Sequence, residues 1–214
     1  MKKSIFIAAS LMVALIGSAF MAGESDPESL AIGSEAPMMD AKMVGVDGKS
    51  HTLKSLAEDN GLLVVFSCNT CPFVVGREGK SEGWEGRYND VYDVAAKAGF
   101  GMVLINSNEA KREGDDSLDA MKKHAKTSKY KMPYVVDENH ALADAMGART
   151  TPHVYLFDKE MKLVYKGAID DNVDSSKEVK EPWLANALQA CSAGEEIPTP
   201  STRPMGCSIK RMAK

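Results

Sequence analysis

Residues 62–72 read Leu-Leu-Val-Val-Phe-Ser-Cys-Asn-Thr-Cys-Pro, and this stretch decides the fold. Five successive apolar residues are typical of a strand buried on both faces, and the proline at the end suits the first turn of a helix. Cys68 and Cys71 therefore lie at the junction between a buried strand and a helix. Two thiols at that junction predict a dithiol redox site.

The positions of the two cysteines suggest their roles. The N–H groups in the first turn of a helix have no intrahelical partners, so they stabilise a thiolate and lower its pKa. We therefore expect Cys68 to be the nucleophile. Cys71, three residues later on the same helix face, is expected to be the resolving thiol that displaces a substrate from Cys68. A purely structural bridge is the weaker interpretation, because closing so short a loop restricts the unfolded chain little.

The first 22 residues have the pattern of a secretory signal peptide. Two lysines precede an apolar stretch over residues 5–16, and small residues follow it. The alternative is an uncleaved membrane anchor, because residues 5–22 are just long enough to span a bilayer. We favour cleavage after Ala19 or Ala22, no stable membrane insertion afterwards, and a periplasmic or otherwise extracytoplasmic location.

The chain that remains after removal of residues 1–22 has 192 residues, with 24 basic and 30 acidic side chains. This acidic balance gives no basis for binding nucleic acid. The length suits one domain, which we expect over residues 23–192. Residues 193–214 form a proline-rich tail that is expected to dock along the domain in extended form.

Hydrophobic periodicity predicts the order of the remaining elements. In the first half we expect a hairpin around 47–48, a strand ending at 66, and a helical stretch from 71 to 99 with an uncertain middle over 77–86. A strand over 101–105, a helix capped by Ser117, a strand over 134–136 and a helix over 139–146 are expected next. The predicted chain ends with a strand over 153–157, its hairpin partner over 163–165, and a last helix that begins at Pro182. This alternation predicts an α/β fold with a mixed central β-sheet, helices on both faces and an N-terminal β-hairpin. The charged stretches 108–116 and 170–181 are expected to form solvated loops.

Several short motifs carry a resemblance to a known family. They are Phe66-Ser67-Cys68-Asn69-Thr70-Cys71-Pro72, Ile105-Asn106-Ser107-Asn108, Thr150-Thr151-Pro152 before a strand, Tyr165-Lys166-Gly167, Ala168-Ile169-Asp170-Asp171 and Gly206-Cys207-Ser208-Ile209-Lys210. Together they resemble the redoxin branch of the thioredoxin fold, in the group labelled with the alkyl hydroperoxide reductase and thiol-specific antioxidant domain. The resemblance spans residues 33–210.

The resemblance implies a thioredoxin-like enzyme that exchanges disulfides with protein or small-molecule substrates and is reset by an unidentified reductant, with no cofactor. It also implies that Pro152 is cis and lies beside the dithiol, with the backbone of Thr151 placed to pair with an extended substrate. The neighbouring His153 is interpreted as a packing residue. The dipeptide Asn69-Thr70 between the cysteines does not decide between reductase and oxidase.

A peroxiredoxin-like hydroperoxide reductase is the first alternative function. Peroxiredoxins have Thr or Ser three residues before the reactive cysteine and Pro four residues before that. Cys68 is preceded at these positions by Val65 and Gly61, and Cys71 by Cys68 and Val64. Neither cysteine has the hydroxyl that would orient a peroxide, so disulfide exchange is favoured over peroxide reduction.

A copper-binding chaperone with the thioredoxin fold is the second alternative. Such chaperones have a C-x-x-x-C-P motif, whereas the spacing of Cys68 and Cys71 is one residue shorter. His140 or His153 would have to approach the cysteines to complete a site, and no pattern in the sequence indicates that either does. We therefore predict no metal site.

The two remaining cysteines leave two interpretations open. Cys191 follows Leu184 and Leu188 at helical spacing, which is typical of a small buried apolar residue. Cys207 lies in the tail. It is expected to form a disulfide with Cys191, and the alternative is a third redox thiol near Cys68.

Overall fold

The computed structural model describes residues 28–212, so the predicted signal peptide at 1–22 lies outside the described residues. The strands are β1 (Met43–Val44), β2 (Ser50–His51), β3 (Gly61–Phe66), β4 (Phe100–Asn106), β5 (Tyr134–Val136), β6 (Thr150–Thr151), β7 (His153–Phe157), β8 (Leu163–Gly167) and β9 (Cys207–Ser208). The α-helices are α1 (Leu53–Leu56), α2 (Pro72–Val75), α3 (Tyr88–Lys97), α4 (Leu118–Thr127), α5 (Ala141–Met146) and α6 (Trp183–Ala193). Short 3-10 turns lie at Glu85–Arg87, Glu109–Lys111, Glu138–His140 and Ser176–Glu178. Within this part of the chain, no helix has the length and apolar character to cross a membrane.

The central sheet has five strands in the order β5-β4-β3-β7-β8. Strand β3 pairs in parallel with β4 and antiparallel with β7, so the sheet is mixed. Strands β1 and β2 form a separate two-stranded hairpin before it. The predicted α/β fold, with a mixed sheet between helices and an N-terminal hairpin, is confirmed.

The continuous apolar run of β3 is buried on both faces of the sheet, as its composition requires. Leu63 and Val65 belong to one core cluster, which also contains side chains from α3, α4 and α6. Leu62 and Val64 belong to the other, which contains side chains from α1 and α5. Because alternate residues of a strand point to opposite faces, one six-residue strand anchors both layers of helices. The carboxyl end of β3 is therefore held rigidly from both sides.

The helical stretch predicted from 71 to 99 is wrong as a single element, because it is divided into the four-residue α2 and the later α3. Gly76 ends α2 with a φ of 80°. At Gly83, φ is +68° and an added Cβ would lie 2.4 Å from the carbonyl oxygen of Val74. Only glycine suits so close an approach of two backbone segments at positive φ. The glycine-rich middle therefore folds back against α2.

The prediction that both charged stretches form solvated loops is wrong at one aspartate in each. Asp116 is completely buried, and Asp170 is 5% exposed. Asp170 accepts hydrogen bonds from the buried Trp84 indole N–H at 2.8 Å and from the Arg87 guanidinium at 2.6 Å. Buried carboxylates persist only where donors satisfy them, and sequence charge alone does not reveal those donors.

Candidate active site

The two cysteines lie in the turn between β3 and α2. Cys71 is the N-cap residue of α2, whereas Cys68 lies in the loop before the helix. Because β3 ends at Phe66, the chain needs five further residues before helical geometry begins at Pro72. The helix-terminus reasoning that favoured Cys68 therefore applies to Cys71. Both side chains are buried, with Cys68 2% exposed and Cys71 4% exposed.

Thr151 contacts both thiols. Cys68 Sγ lies 3.1 Å from Thr151 Oγ1, and the Cys71 thiol donates to the Thr151 carbonyl oxygen at 3.0 Å. The peptide bond between Thr151 and Pro152 is cis, as predicted. The structure therefore brings together all four residues singled out in the sequence for this site.

The backbone edge of Thr151, predicted to pair with a substrate, is paired with the protein's own C-terminal segment. Strands β6 and β9 are antiparallel, with Thr150 opposite Ser208 and Thr151 opposite Cys207. The Cys207 N–H donates to Cys71 Sγ at 3.4 Å. A substrate strand could use the same edge only after this segment moves aside.

The surroundings of the two thiols separate their ionisation. The pKa of Cys71 is lowered to about 5, chiefly by hydrogen bonding from the Cys68 thiol and then by Cys207 and the Phe73 N–H, against an opposing effect of burial. The carbonyl oxygen of Thr151 also opposes ionisation, because it accepts a bond only from the protonated thiol. The pKa of Cys68 is raised by its hydrogen bond to Cys71 and by burial. These effects favour the thiolate on Cys71 over that on Cys68.

A buried polar network fixes the loop between the cysteines. Asp116 accepts bonds from the Asn69 N–H at 2.9 Å, from Asn106 Nδ2 at 2.7 Å and from Asn108 Nδ2 at 2.9 Å. The Tyr134 hydroxyl donates to Asn69 Oδ1 at 3.0 Å. These contacts hold the loop from the adjacent strands β4 and β5, so they position Cys68 and Cys71 without touching either sulfur.

The site predicted from the sequence lacks this network. Asn106 and Asn108 come directly after the continuous apolar run of β4, and Asp116 follows in the next loop. Since β4 is parallel to β3, its carboxyl end lies at the same edge of the sheet as the cysteines. Polar residues just beyond a buried strand were therefore the available signal.

Among the described residues, neither His140 nor His153, the two histidines considered as metal ligands, has a contact with Cys68 or Cys71. His140 pairs with Asp144 at 2.8 Å. His153 packs against Tyr155, and burial lowers its pKa to about 3, followed by repulsion from Lys166 and Arg149. Over residues 28–212, no group of three His, Cys, Asp or Glu side chains is arranged to hold a metal ion.

Cys191 and Cys207 are not bridged, and all four cysteines are free thiols. Cys191 lies on α6 and lines a separate cleft with Asn60 and Asp158. Cys207 lies instead beside Cys71. The expected disulfide between Cys191 and Cys207 is therefore wrong for this structure. The tail places Cys207 next to the dithiol, as the alternative interpretation expected.

The Redoxin family model matches residues 31–182. An uncharacterized conserved protein from Geobacillus kaustophilus is 29% identical, with a TM-score of 0.77, over 89% of this chain and 97% of that one. A hypothetical protein from Sinorhizobium meliloti 1021 is 30% identical, with a TM-score of 0.76, over 88% of this chain and 98% of that one.

A more distant structure, a putative protein disulfide isomerase from Bacteroides thetaiotaomicron, is 19% identical with a TM-score of 0.54 and covers 82% of this chain and 95% of its own. That likeness concerns the fold alone. No curated protein matches the chain.

Proposed function

This chain belongs to the redoxin family, and on that premise we propose that it is a thiol–disulfide oxidoreductase in which Cys71 is the nucleophile and Cys68 the resolving thiol. The observation that carries the proposal is the asymmetric environment of the two sulfurs. Cys71 receives hydrogen bonds that lower its pKa to about 5, whereas the pKa of Cys68 is raised. A thiolate beside a protonated thiol is the arrangement that disulfide exchange requires.

The proposed reaction transfers two electrons from the dithiol to a substrate disulfide. The Cys71 thiolate attacks one sulfur of the substrate, a bond forms between them, and the other substrate thiolate leaves and takes up a proton. Cys68 then loses its proton and attacks Cys71 Sγ, which releases the second substrate thiol and leaves a disulfide between Cys68 and Cys71. A dithiol reductant from outside resets the enzyme, and the same steps run backwards when the protein acts as an oxidant.

The low pKa of Cys71 favours the oxidant direction, because a stabilised thiolate stabilises the reduced form of the protein. Each pKa unit below the ambient pH raises the reduction potential by about 30 mV, and thioredoxin combines a thiol pKa of about 7 with a potential of about −270 mV. Because the pKa of Cys71 is lowered well below its ordinary value, we expect a potential above that of thioredoxin at pH 7. Equilibration in glutathione buffers followed by alkylation measures it. A value at or below that of thioredoxin would contradict this direction.

A peroxidase is the second candidate, and the observation that favours it is again the single low-pKa thiolate at Cys71. The two functions differ in what approaches that sulfur. A peroxidase needs donors that polarise the peroxide at the reactive sulfur, but Thr151 Oγ1 lies 3.1 Å from the other sulfur, Cys68 Sγ. The geometry therefore supports disulfide exchange over peroxide reduction.

The deciding measurement compares two oxidants on the same reduced protein. We expect glutathione disulfide to oxidise the dithiol through Cys71, and we expect hydrogen peroxide to react no more than about tenfold faster than it does with an ordinary thiolate. Stopped-flow tryptophan fluorescence or timed alkylation gives both second-order rate constants. A peroxide rate orders of magnitude above that of a free thiolate, absent in Cys71→Ser, would establish the peroxidase instead.

We also propose that the protein acts outside the cytoplasm after removal of residues 1–22. The charged start, apolar stretch and small residues of that segment support export. An oxidising compartment would also suit an exchange site that favours the oxidant direction. The substrates proposed for it are protein or small-molecule disulfides and thiols.

A further inference from the structure

The C-terminal segment brings a third thiol to the dithiol. The Cys207 N–H donates to Cys71 Sγ at 3.4 Å, and the pairing of Cys207 with Thr151 holds it at that position. Because Thr151 also contacts both dithiol sulfurs, Cys71 lies close to two other cysteines, Cys68 and Cys207. Cys68 is 2% exposed, whereas Cys207 is only partly buried.

The segment that carries Cys207 is anchored on both sides of it. Before it, the Thr202 N–H donates to the Lys166 carbonyl at 3.0 Å. After it, the Ile209 side chain is buried, and the Lys210 N–H donates to Asn108 Oδ1 at 2.8 Å. The part over 203–208 spans these anchors and is paired with β6 at Thr150 and Thr151. Movement of this part away from the dithiol would leave the anchors at Thr202 and Lys210 in place.

We infer that Cys207 is a second resolving thiol, which attacks a mixed disulfide on Cys71 and leaves a disulfide between Cys71 and Cys207. The inference rests on the proposed function. In the step itself, the Cys207 thiol loses its proton, its sulfur forms a bond to Cys71 Sγ, and the substrate thiolate leaves from Cys71 and takes up a proton. The substrate disulfide is the oxidant, as in the reaction with Cys68.

The charges around Cys207 suit this order of events. In the resting protein its pKa is raised to about 11, by burial and then by Cys71, while Lys210 and Arg77 act in the opposite direction. Once Cys71 forms a mixed disulfide, its sulfur is no longer negatively charged, whereas Lys210 and Arg77 keep their positive charges. Cys207 thus becomes easier to ionise after the first step.

The same segment also controls access to the site. It occupies the backbone edge of Thr151, and both dithiol sulfurs are nearly excluded from solvent. Departure of residues 203–208 would admit a substrate disulfide to Cys71, and their return would bring Cys207 to the mixed disulfide. In this proposal, opening of the segment allows substrate entry, and its closing allows resolution by Cys207.

The test uses Cys191→Ser as the parent, because Cys191 shares a tryptic peptide with Cys207. Cys68→Ser, Cys207→Ser and the double variant are made in this parent, reduced, and mixed with glutathione disulfide. After an acid quench and alkylation, mass spectrometry of the intact protein counts glutathione adducts and internal disulfides. Non-reducing peptide maps locate each bond.

We expect the Cys68→Ser variant to release glutathione and join Cys71 to Cys207, at least about tenfold faster than the double variant loses its adduct. Accumulation of the same persistent adduct in both would overturn the inference while leaving Cys71 as the nucleophile. If no variant and no parent forms an adduct or a disulfide, the proposed function itself fails. Circular dichroism checks folding, and Cys68→Ala provides a second variant at that position.

A matched control moves the thiol by one residue. Ser208 is exposed and follows Cys207 in β9, so its side chain points to the opposite face of the strand. The variant Cys68→Ser/Cys207→Ser/Ser208→Cys, in the same parent, should keep the glutathione adduct on Cys71. A disulfide between residues 71 and 208 that forms as fast as the one to Cys207 would contradict the proposed geometry.

Discussion

Replacement of Cys71 by Ser is expected to lower the rate of exchange with a small disulfide by at least about tenfold at pH 6. Burial raises the pKa of each of the three thiols that remain, Cys68, Cys191 and Cys207, whereas the pKa of Cys71 is lowered to about 5. A thiol with a pKa above about 8.5 supplies at least about 300-fold less thiolate at pH 6, and its greater intrinsic nucleophilicity recovers only about 40-fold of that. The measurement is the initial release of a chromophoric thiol from an aromatic disulfide.

Cys68→Ser is the matched variant for this experiment. Serine keeps an O–H donor for Cys71, so the first step should remain within about fivefold of the wild-type rate. The wild-type rate should also fall as the pH drops through about 5, because protonation removes the Cys71 thiolate. The opposite ranking, with Cys68→Ser inactive in the first step and Cys71→Ser active, would restore Cys68 as the nucleophile.

Replacement of Asp116 by Ala is expected to lower the free energy of unfolding by about 3 kcal/mol. The change leaves three buried donors without their acceptor, namely the Asn69 N–H and the amide groups of Asn106 and Asn108. It also frees the loop that holds the cysteines. Urea denaturation of the reduced protein measures the loss.

Asp119→Ala is the control, because Asp119 has a side chain that is 93% exposed and pairs only with the surface Lys122. Its removal should change stability by no more than about 0.5 kcal/mol. Asp116→Asn, which keeps the shape and one acceptor oxygen, should fall between the two. Equal losses for Asp116→Ala and Asp119→Ala would show that the buried network does not hold the loop.

Some features could be predicted from the sequence because the information for them is local. The apolar run over 62–66 must be buried on both faces, and the alternation of such runs with helical periodicity predicts a mixed sheet between helices. The expectation of a cis bond before Pro152 came from a family resemblance carried by adjacent residues, and the structure confirms it. The contacts of individual side chains could not be predicted in the same way.

The position of the two cysteines relative to α2 is one example. Whether Cys68 or Cys71 caps α2 depends on how the chain leaves β3, and Asp116 and Tyr134 hold that turn through Asn69. These partners come from later parts of the chain, so periodicity within the turn carries no information about them. The charge pattern was equally uninformative for Asp116, because a buried and a solvated aspartate look alike until the donors around them are known.

By itself, the sequence determined the fold class, the pairing of two thiols with a strand-to-helix junction, and the presence of Thr151 and Pro152 before another strand. Only the tertiary structure decided that Cys71 caps α2 and that the C-terminal segment meets it. Cys207 is 136 residues from Cys71 along the chain, yet its N–H contacts the Cys71 sulfur. Contacts between residues so distant in sequence form only when the whole sheet and the docked tail are assembled, because packing of the assembled elements, and not local preference, sets their positions.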